Sequence, residues 1–192
     1  MTIEKLKAVD IIASGLTANT KAGEDAQATG VFHMVCRDKD GNLKWEATSK
    51  NLVVNVGLQY MAGSALTSVS QITSWYIGLY GAGASNTPAA GDTMSSHAGW
   101  TEVVPYSNAT RVAATFATAT TANPSVVTNS ASPASFTINA TATVGGAFLT
   151  SGSAKSGTTG TLFSAADFGS PGDRSVVSGD SLAVTYTFSL AG

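Results

Sequence analysis

Hydrophobic and polar residues alternate along several short stretches of the chain, most clearly over residues 135–144 and 181–190. Strict alternation places one set of side chains on each face of an extended segment, so both stretches predict half-buried β-strands. The predicted inward-facing residues are Phe136, Ile138, Ala140, Ala142 and Val144 in the first, and Leu182, Val184, Tyr186, Phe188 and Leu190 in the second. The turn at 178–180 precedes the last strand.

A hairpin is predicted between residues 31 and 47. The apolar run 31–37 indicates a strand, and the Asp, Gly and Asn residues of 38–42 favour a tight turn. Leu43, Trp45 and Ala47 then alternate with Lys44 and Glu46, which predicts a returning strand.

A short helix is predicted after residue 55. Asn55 would cap it, Gly63 would end it, and Val56, Tyr60 and Met61 would share its buried face. Further strands are predicted over 74–80, 100–104 and 111–118, and residues 92–94 could start one helical turn within a long loop, 81–99. Together these elements predict a mainly β protein, an antiparallel β-sandwich or barrel that carries one or two short helices.

The first 30 residues mix charged and small residues without a clear period. They predict an extended N-terminal arm (1–30) in front of a single β-sandwich domain (31–192). The arm could be a flexible tail, or a segment that becomes ordered on a neighbouring molecule.

Composition narrows the classes of partner. Charged residues make up 11% of the 192 residues, against about a quarter in ordinary soluble domains. The formal net charge of −2 and the lack of a basic patch argue against nucleic acid as a partner. No apolar run reaches the length of roughly 18 residues that a membrane-spanning helix needs, and the N-terminal residues do not look like a signal peptide.

Candidate catalytic residues are few. Glu102, near Trp100, is the strongest candidate for a catalytic carboxylate, although a surface or strand-end position is expected for it. His33 and His97 are the two histidines. Asp92, Ser95 and Ser96 lie near His97, but catalytic triads are not normally contained in one short loop, so His97 is expected to be a hydrogen-bonded loop residue. No catalytic, cofactor-binding or metal-binding residues are therefore assigned.

Metal ligation is not expected either. His33 and Cys36 are three residues apart on a predicted strand and should point to opposite faces. The segment Asp38-x-Asp40-x-Asn42 begins like a calcium loop, but Leu43 stands where glycine is needed, so a hairpin turn is favoured. Cys36 is expected to pack in a strand, and a lone cysteine allows no intramolecular disulfide. Trp45, Trp75 and Trp100 are expected in the core, with interface anchors as the alternative.

Several segments resemble small virion proteins of tailed bacteriophages. They are Asn51-Leu52-Val53-Val54-Asn55-Val56-Gly57-Leu58-Gln59-Tyr60, Trp75-Tyr76-Ile77-Gly78-Leu79, the stretch from Ala89 to Glu102, Phe136-Thr137-Ile138-Asn139-Ala140, and the stretch from Gly172 to Asp180. The resemblance covers about residues 50–190 and leaves out the arm.

The resemblance implies a non-enzymatic structural protein on the outside of a virion, assembled in the host cytoplasm. Its leading form is a capsid cement or decoration protein with a jelly-roll-like β-sandwich, self-associated as a dimer or trimer and bound to the major capsid protein. A tail, neck or head-fibre component is the alternative. A receptor- or glycan-binding module is a third possibility, and it would need an exposed aromatic platform.

Overall fold

Two antiparallel β-sheets pack face to face in the computed structural model, which describes residues 26–81, 87–168 and 172–192. The predicted class, a mainly β sandwich of antiparallel sheets, is confirmed. The strands and the helix are β1 (Gln27–Arg37), β2 (Leu43–Lys50), β3 (Leu52–Val53), α1 (Asn55–Leu66), β4 (Tyr76–Gly81), β5 (Thr101–Val103), β6 (Val112–Ala113), β7 (Ser125–Thr128), β8 (Ala134–Thr137), β9 (Ala142–Val144), β10 (Gly146–Thr150), β11 (Leu162–Asp167), β12 (Arg174–Val176) and β13 (Ser181–Ala191).

The first sheet has the order β2-β1-β13-β7, and β8 pairs with β13 on the same side as β7. The second sheet has the order β3-β11-β10-β4-β5, and β6 also pairs with β4. A separate two-stranded ladder joins β9 to β12. The main core lies between the two sheets and contains Phe32, Met34, Leu79, Leu149 and Tyr186, together with other side chains from both.

The hairpin of β1 and β2 forms as predicted. Asp38 accepts hydrogen bonds from the backbone amides of Asp40 and Asn42, and Gly41 takes a positive φ of 86°. The prediction is wrong for Leu43, which was expected on the same face as Trp45 and Ala47. The register shifts next to Arg37, and Leu43 is 54% exposed. Trp45 and Ala47 do pack against the core.

The first strand begins before the predicted domain boundary at residue 31. Gln27 pairs with Ala191, and Gly30 pairs with Phe188. A side chain at position 30 would collide with the Tyr186 hydroxyl at 2.5 Å, so this glycine fits tightly into the sandwich. Residues 27–30 are therefore part of the β-domain, and residues 1–25, the rest of the predicted arm, lie outside the described residues.

The central strands of the second sheet, β4, β10 and β11, are buried on both faces. Ile77 and Leu79 of β4 point into the main core, whereas Tyr80 faces a second cluster with Trp100 and Phe148. This double burial explains why β11 was not predicted. All but the last of its residues are buried, so its sequence has no alternation of apolar and polar positions.

The alternating stretch 135–144 is not one strand. The chain leaves the first sheet after Thr137 and joins the separate ladder at Ala142. In between, the Ile138 amide donates to Asp180 O and the Asn139 amide donates to Pro105 O. Beyond these contacts the backbone leaves the first sheet, and Ala140, predicted to face inward, is exposed.

Helix α1 is longer than predicted, and Asn55 does not cap it. Asn55 is its first residue, the extended residue before it is Val54, and no side chain caps the first turn. The helix passes through Gly63 and ends when the Thr67 amide donates to Gly63 O. Gly57 is the fully buried residue of the helix, and the predicted buried residues are only partly buried.

The contact of α1 with β11 depends on the missing side chain of Gly57. A Cβ atom there would lie 2.3 Å from Phe163 O, a backbone atom that cannot rotate away. We expect Gly57→Ala to lower the free energy of unfolding by about 1–3 kcal/mol. That reverses the usual effect, since alanine inside a helix is about 1 kcal/mol more favourable than glycine. Urea unfolding measures the change.

Gly63→Ala, in the same helix, is the matched control. Its added Cβ would meet the exposed side chain of Val69 at 2.9 Å, which can move. We expect this variant to be at least as stable as the parent protein. Equal stability of the two variants would contradict the account of how α1 docks.

Candidate functional site

A buried ion pair joins Glu102 to Arg111. The Arg111 Nε and Nη2 atoms donate to the two carboxylate oxygens at 2.9 and 2.8 Å. Both side chains are almost fully buried, at 1% exposed for Arg111 and 6% for Glu102. Arg111 also donates to the carbonyl oxygens of Gly152 and Gly157. The Ser156 amide donates to Glu102 Oε2 at 2.6 Å.

This arrangement clamps the loop 151–160 onto β5. Lys155 adds a hydrogen bond to Tyr106 O, with its ammonium group 3.8 Å from the centre of the Tyr106 ring. Both oxygens of Glu102 are used within the fold, so the side chain holds a loop. The expected surface or strand-end position of Glu102 is wrong. Its partner lies nine residues further along the chain, across an irregular segment that alternation does not resolve.

The loop residues near His97 are joined through Trp100. Asp92 accepts from the indole nitrogen of Trp100 at 3.0 Å and from the Ala89 amide at 3.0 Å. The His97 ring stacks on Trp100 at 3.8 Å, and its Nδ1 atom lies 3.0 Å from Trp100 O. Ser95 bonds to Thr93. His97 is a hydrogen-bonded loop residue, as predicted. The predicted helical turn is instead a tight turn closed by a bridge between Thr93 and Ser96.

The other candidates also have local partners. His33 points outward and bonds to Glu46 at 2.6 Å, whereas Cys36 is fully buried, so the two side chains do lie on opposite faces. Burial, followed by the nearby Asp180 carboxylate, raises the pKa of the Cys36 thiol to about 11. Asp38 accepts three hydrogen bonds within the hairpin turn, and the bond from the Asn42 side chain leads the effects that lower its pKa.

No group of three or more His, Cys, Asp or Glu side chains within residues 26–81, 87–168 and 172–192 could hold a metal ion. None of the helices in these ranges is both long and apolar enough to cross a membrane.

Charge is distributed very unevenly over the sequence and the surface. No charged residue occurs between Lys50 and Asp92, or between Arg111 and Lys155. The hairpin of β1 and β2, by contrast, carries a dense group of exposed charges, namely Arg37, Lys39, Asp40, Lys44, Glu46 and Lys50, together with the partly buried Asp38. The uncharged segments contain α1, the residues up to β4, and the edge around β7.

The exposed side of α1 is apolar. Leu58, Ala62 and Leu66 are spaced four residues apart and share one side of the helix, and Leu66 is 85% exposed. Val69, just beyond the helix, is 49% exposed. We call this surface, formed by Leu58, Ala62, Leu66 and Val69, the end face. A cluster of exposed apolar side chains without charges is typical of an interaction site.

A groove of about 440 Å³ lies next to the end face, between α1 and the first sheet. Its walls are mainly aromatic and aliphatic, formed by Tyr60, Met61, Ser64, Ala65, Gln71, Ile72, Trp75, Phe116, Val127, Leu149, Phe163, Tyr186 and Phe188. Aromatic rings follow one another edge to face along it, from Tyr60 to Trp75, Phe163 and Phe188. We call this feature the groove.

The hydroxyl groups at the groove already have partners. The Tyr60 hydroxyl accepts from the Ile72 amide at 2.8 Å, and the Ser64 hydroxyl donates to Met61 O. The Tyr186 hydroxyl accepts from Asn51 and Ser164. The groove therefore favours an apolar, uncharged occupant over one that needs many hydrogen bonds.

The three tryptophans differ in their burial. Trp100 is 2% exposed and belongs to the second cluster, as the core prediction requires. Trp45 and Trp75 are partly buried and pack on the margin of the main core. Trp75 also lines the groove. Its alternative role as an interface anchor stays a prediction.

The uncharged run from residue 51 to residue 91 is a sequence signal for the end face that alternation alone does not provide.

Comparison with protein-family models, with curated proteins and with solved structures gives no significant match.

Proposed function

We propose that the chain is a bacteriophage virion structural protein, most specifically a capsid cement or decoration protein on the exterior of the shell. It acts without catalysis, by self-association as a dimer or trimer and by binding neighbouring copies of the major capsid protein. The end face is the observation that carries this proposal. An uncharged apolar helix surface is costly for a protein that works alone in water, and suits one that works within an assembly.

A second uncharged surface also suits permanent packing. The outward side of β7 and β13 presents small and β-branched side chains, including Thr128, Thr185 and Thr187, and the Thr128 and Thr187 hydroxyls bond to each other at 3.0 Å. The resemblance to small phage virion proteins also supports a structural role, and it is the reason for proposing a virion as the assembly.

Stabilisation of the shell would follow from mass action. A protein that binds the assembled shell better than its separated subunits shifts the equilibrium towards the shell. Many symmetric copies add avidity to contacts that are individually weak. The buried Glu102–Arg111 pair keeps the loop 151–160 in place while these contacts form.

The copy number of the protein in purified virions tests this proposal. Quantitative mass spectrometry should give a ratio to the major capsid protein of the same order as one copy for each capsid subunit or capsomer. A ratio far below that would reject the cement role and favour the alternative, a tail, neck or head-fibre component. Absence from purified virions would reject the proposal as a whole.

A further inference from the structure

We infer that the groove is a binding site for residues 11–20 of this chain. This inference goes beyond the proposed function, because it concerns the isolated protein and holds or fails without a virion.

The groove favours an uncharged, aliphatic occupant, and residues 11–20 have that character. Its described walls carry no charged side chain, and its hydroxyl groups are engaged by the Ile72 amide, Met61 O, Asn51 and Ser164. A charged occupant would lose its hydration there without gaining an ionic partner. An uncharged occupant with aliphatic side chains would instead cover the exposed edges of Trp75 and Phe188.

Residues 11–20 are the longest uncharged run in the part of the chain before β1. They read Ile-Ile-Ala-Ser-Gly-Leu-Thr-Ala-Asn-Thr, between Asp10 and Lys21. Ile11, Ile12 and Leu16 provide three large aliphatic side chains within one short segment. Glu4, Lys5, Lys7, Glu24 and Asp25 make the flanking sequence much less suited to the groove.

The chain enters the domain beside the groove. Phe188 lines the groove and pairs with Gly30, and β1 continues from there back to Gln27. At about 3.3 Å per residue, Gln27 lies about 10 Å along the strand from Phe188. The residues between Leu16 and Gln27 could span at most about 36 Å, which is ample. A tether of that length gives an effective concentration on the order of millimolar.

Disulfide trapping in the full-length chain tests the site. Ile12→Cys combined with Ser64→Cys places one thiol in the segment and one in the groove. The native Cys36 is fully buried and stays out of reach. We expect mild oxidation to form the 12–64 disulfide in most chains, identified by peptide mass spectrometry. A monomeric product would show that a chain fills its own groove, and a dimeric product that it fills its neighbour's. Either product supports the site.

The matched control combines Ile12→Cys with Thr48→Cys, an exposed position on β2. We expect its yield to be at least tenfold lower. Adding Ile11→Asp to the 12–64 pair should cut its yield severalfold, whereas adding Lys5→Asp should not. Equal yields at positions 64 and 48, or no effect of Ile11→Asp, would overturn the inference. Neither result would change the copy number in virions, so failure here is distinct from failure of the proposed function.

Discussion

Replacing Glu102 with alanine is expected to lower the free energy of unfolding by about 3–5 kcal/mol, the cost of leaving a buried charge without its partner. Arg111 would keep its bonds to Gly152 and Gly157 but lose both contacts to the carboxylate. The Ser156 amide would also lose its acceptor. Urea unfolding followed by circular dichroism measures the change, and hydrogen exchange should show faster exchange at the Ser156 amide.

Asp40→Ala is the control for this prediction. It removes an ion pair with Lys39 in which both side chains are mostly exposed, at 74% for Lys39 and 62% for Asp40. Exposed pairs contribute little, so its stability should stay close to that of the parent protein. If Glu102→Ala were no more destabilising than Asp40→Ala, the clamp would not hold the loop as described.

Leu66→Glu is expected to weaken binding to virions by about tenfold to a hundredfold. The estimate takes the burial of one leucine as about 1.5–3 kcal/mol and converts that energy into a ratio of dissociation constants. A carboxylate in an uncharged contact adds a desolvation cost in the same direction. Binding of labelled protein to virions depleted of the native copies, followed by sedimentation, gives the ratio.

Leu43→Glu makes the same chemical change at another exposed leucine. Leu43 begins β2, in the charged hairpin, and is 54% exposed. We expect this variant to bind as the parent protein does, and both variants to keep their stability because neither leucine is buried. Equal weakening by the two substitutions would mean that added negative charge, and not the end face, decides binding.

The sequence predicted best those strands that have one buried and one exposed face. In β13 the predicted alternation matches the burial of Leu182, Val184 and Tyr186, since the strand pairs within the first sheet and its other side is more exposed. The match ends at Leu190, which was predicted to face inward and is 46% exposed. Strand β11 was missed because both of its faces are covered. Alternation predicts one strand over residues 135–144, because it does not reveal where a strand leaves its sheet.

The candidate site was only partly predictable for a related reason. Alternation detects burial against the chain's own core, and α1 has almost none, since Gly57 is its one fully buried residue. The exposed apolar side of α1 could therefore not be predicted from alternation, because it depends on where the helix packs on the domain. The pairing of Glu102 with Arg111 depends on how β5 and the loop 151–160 meet, which local spacing does not determine.

Hydroxyl-radical footprinting of the native protein on assembled virions tests most directly whether the end face is the contact surface. Oxidation of Leu58 and Leu66 should fall severalfold relative to the free protein, while oxidation of Leu43 stays unchanged. If Leu66 were oxidised as readily on the virion as in solution, contact through the end face would be contradicted.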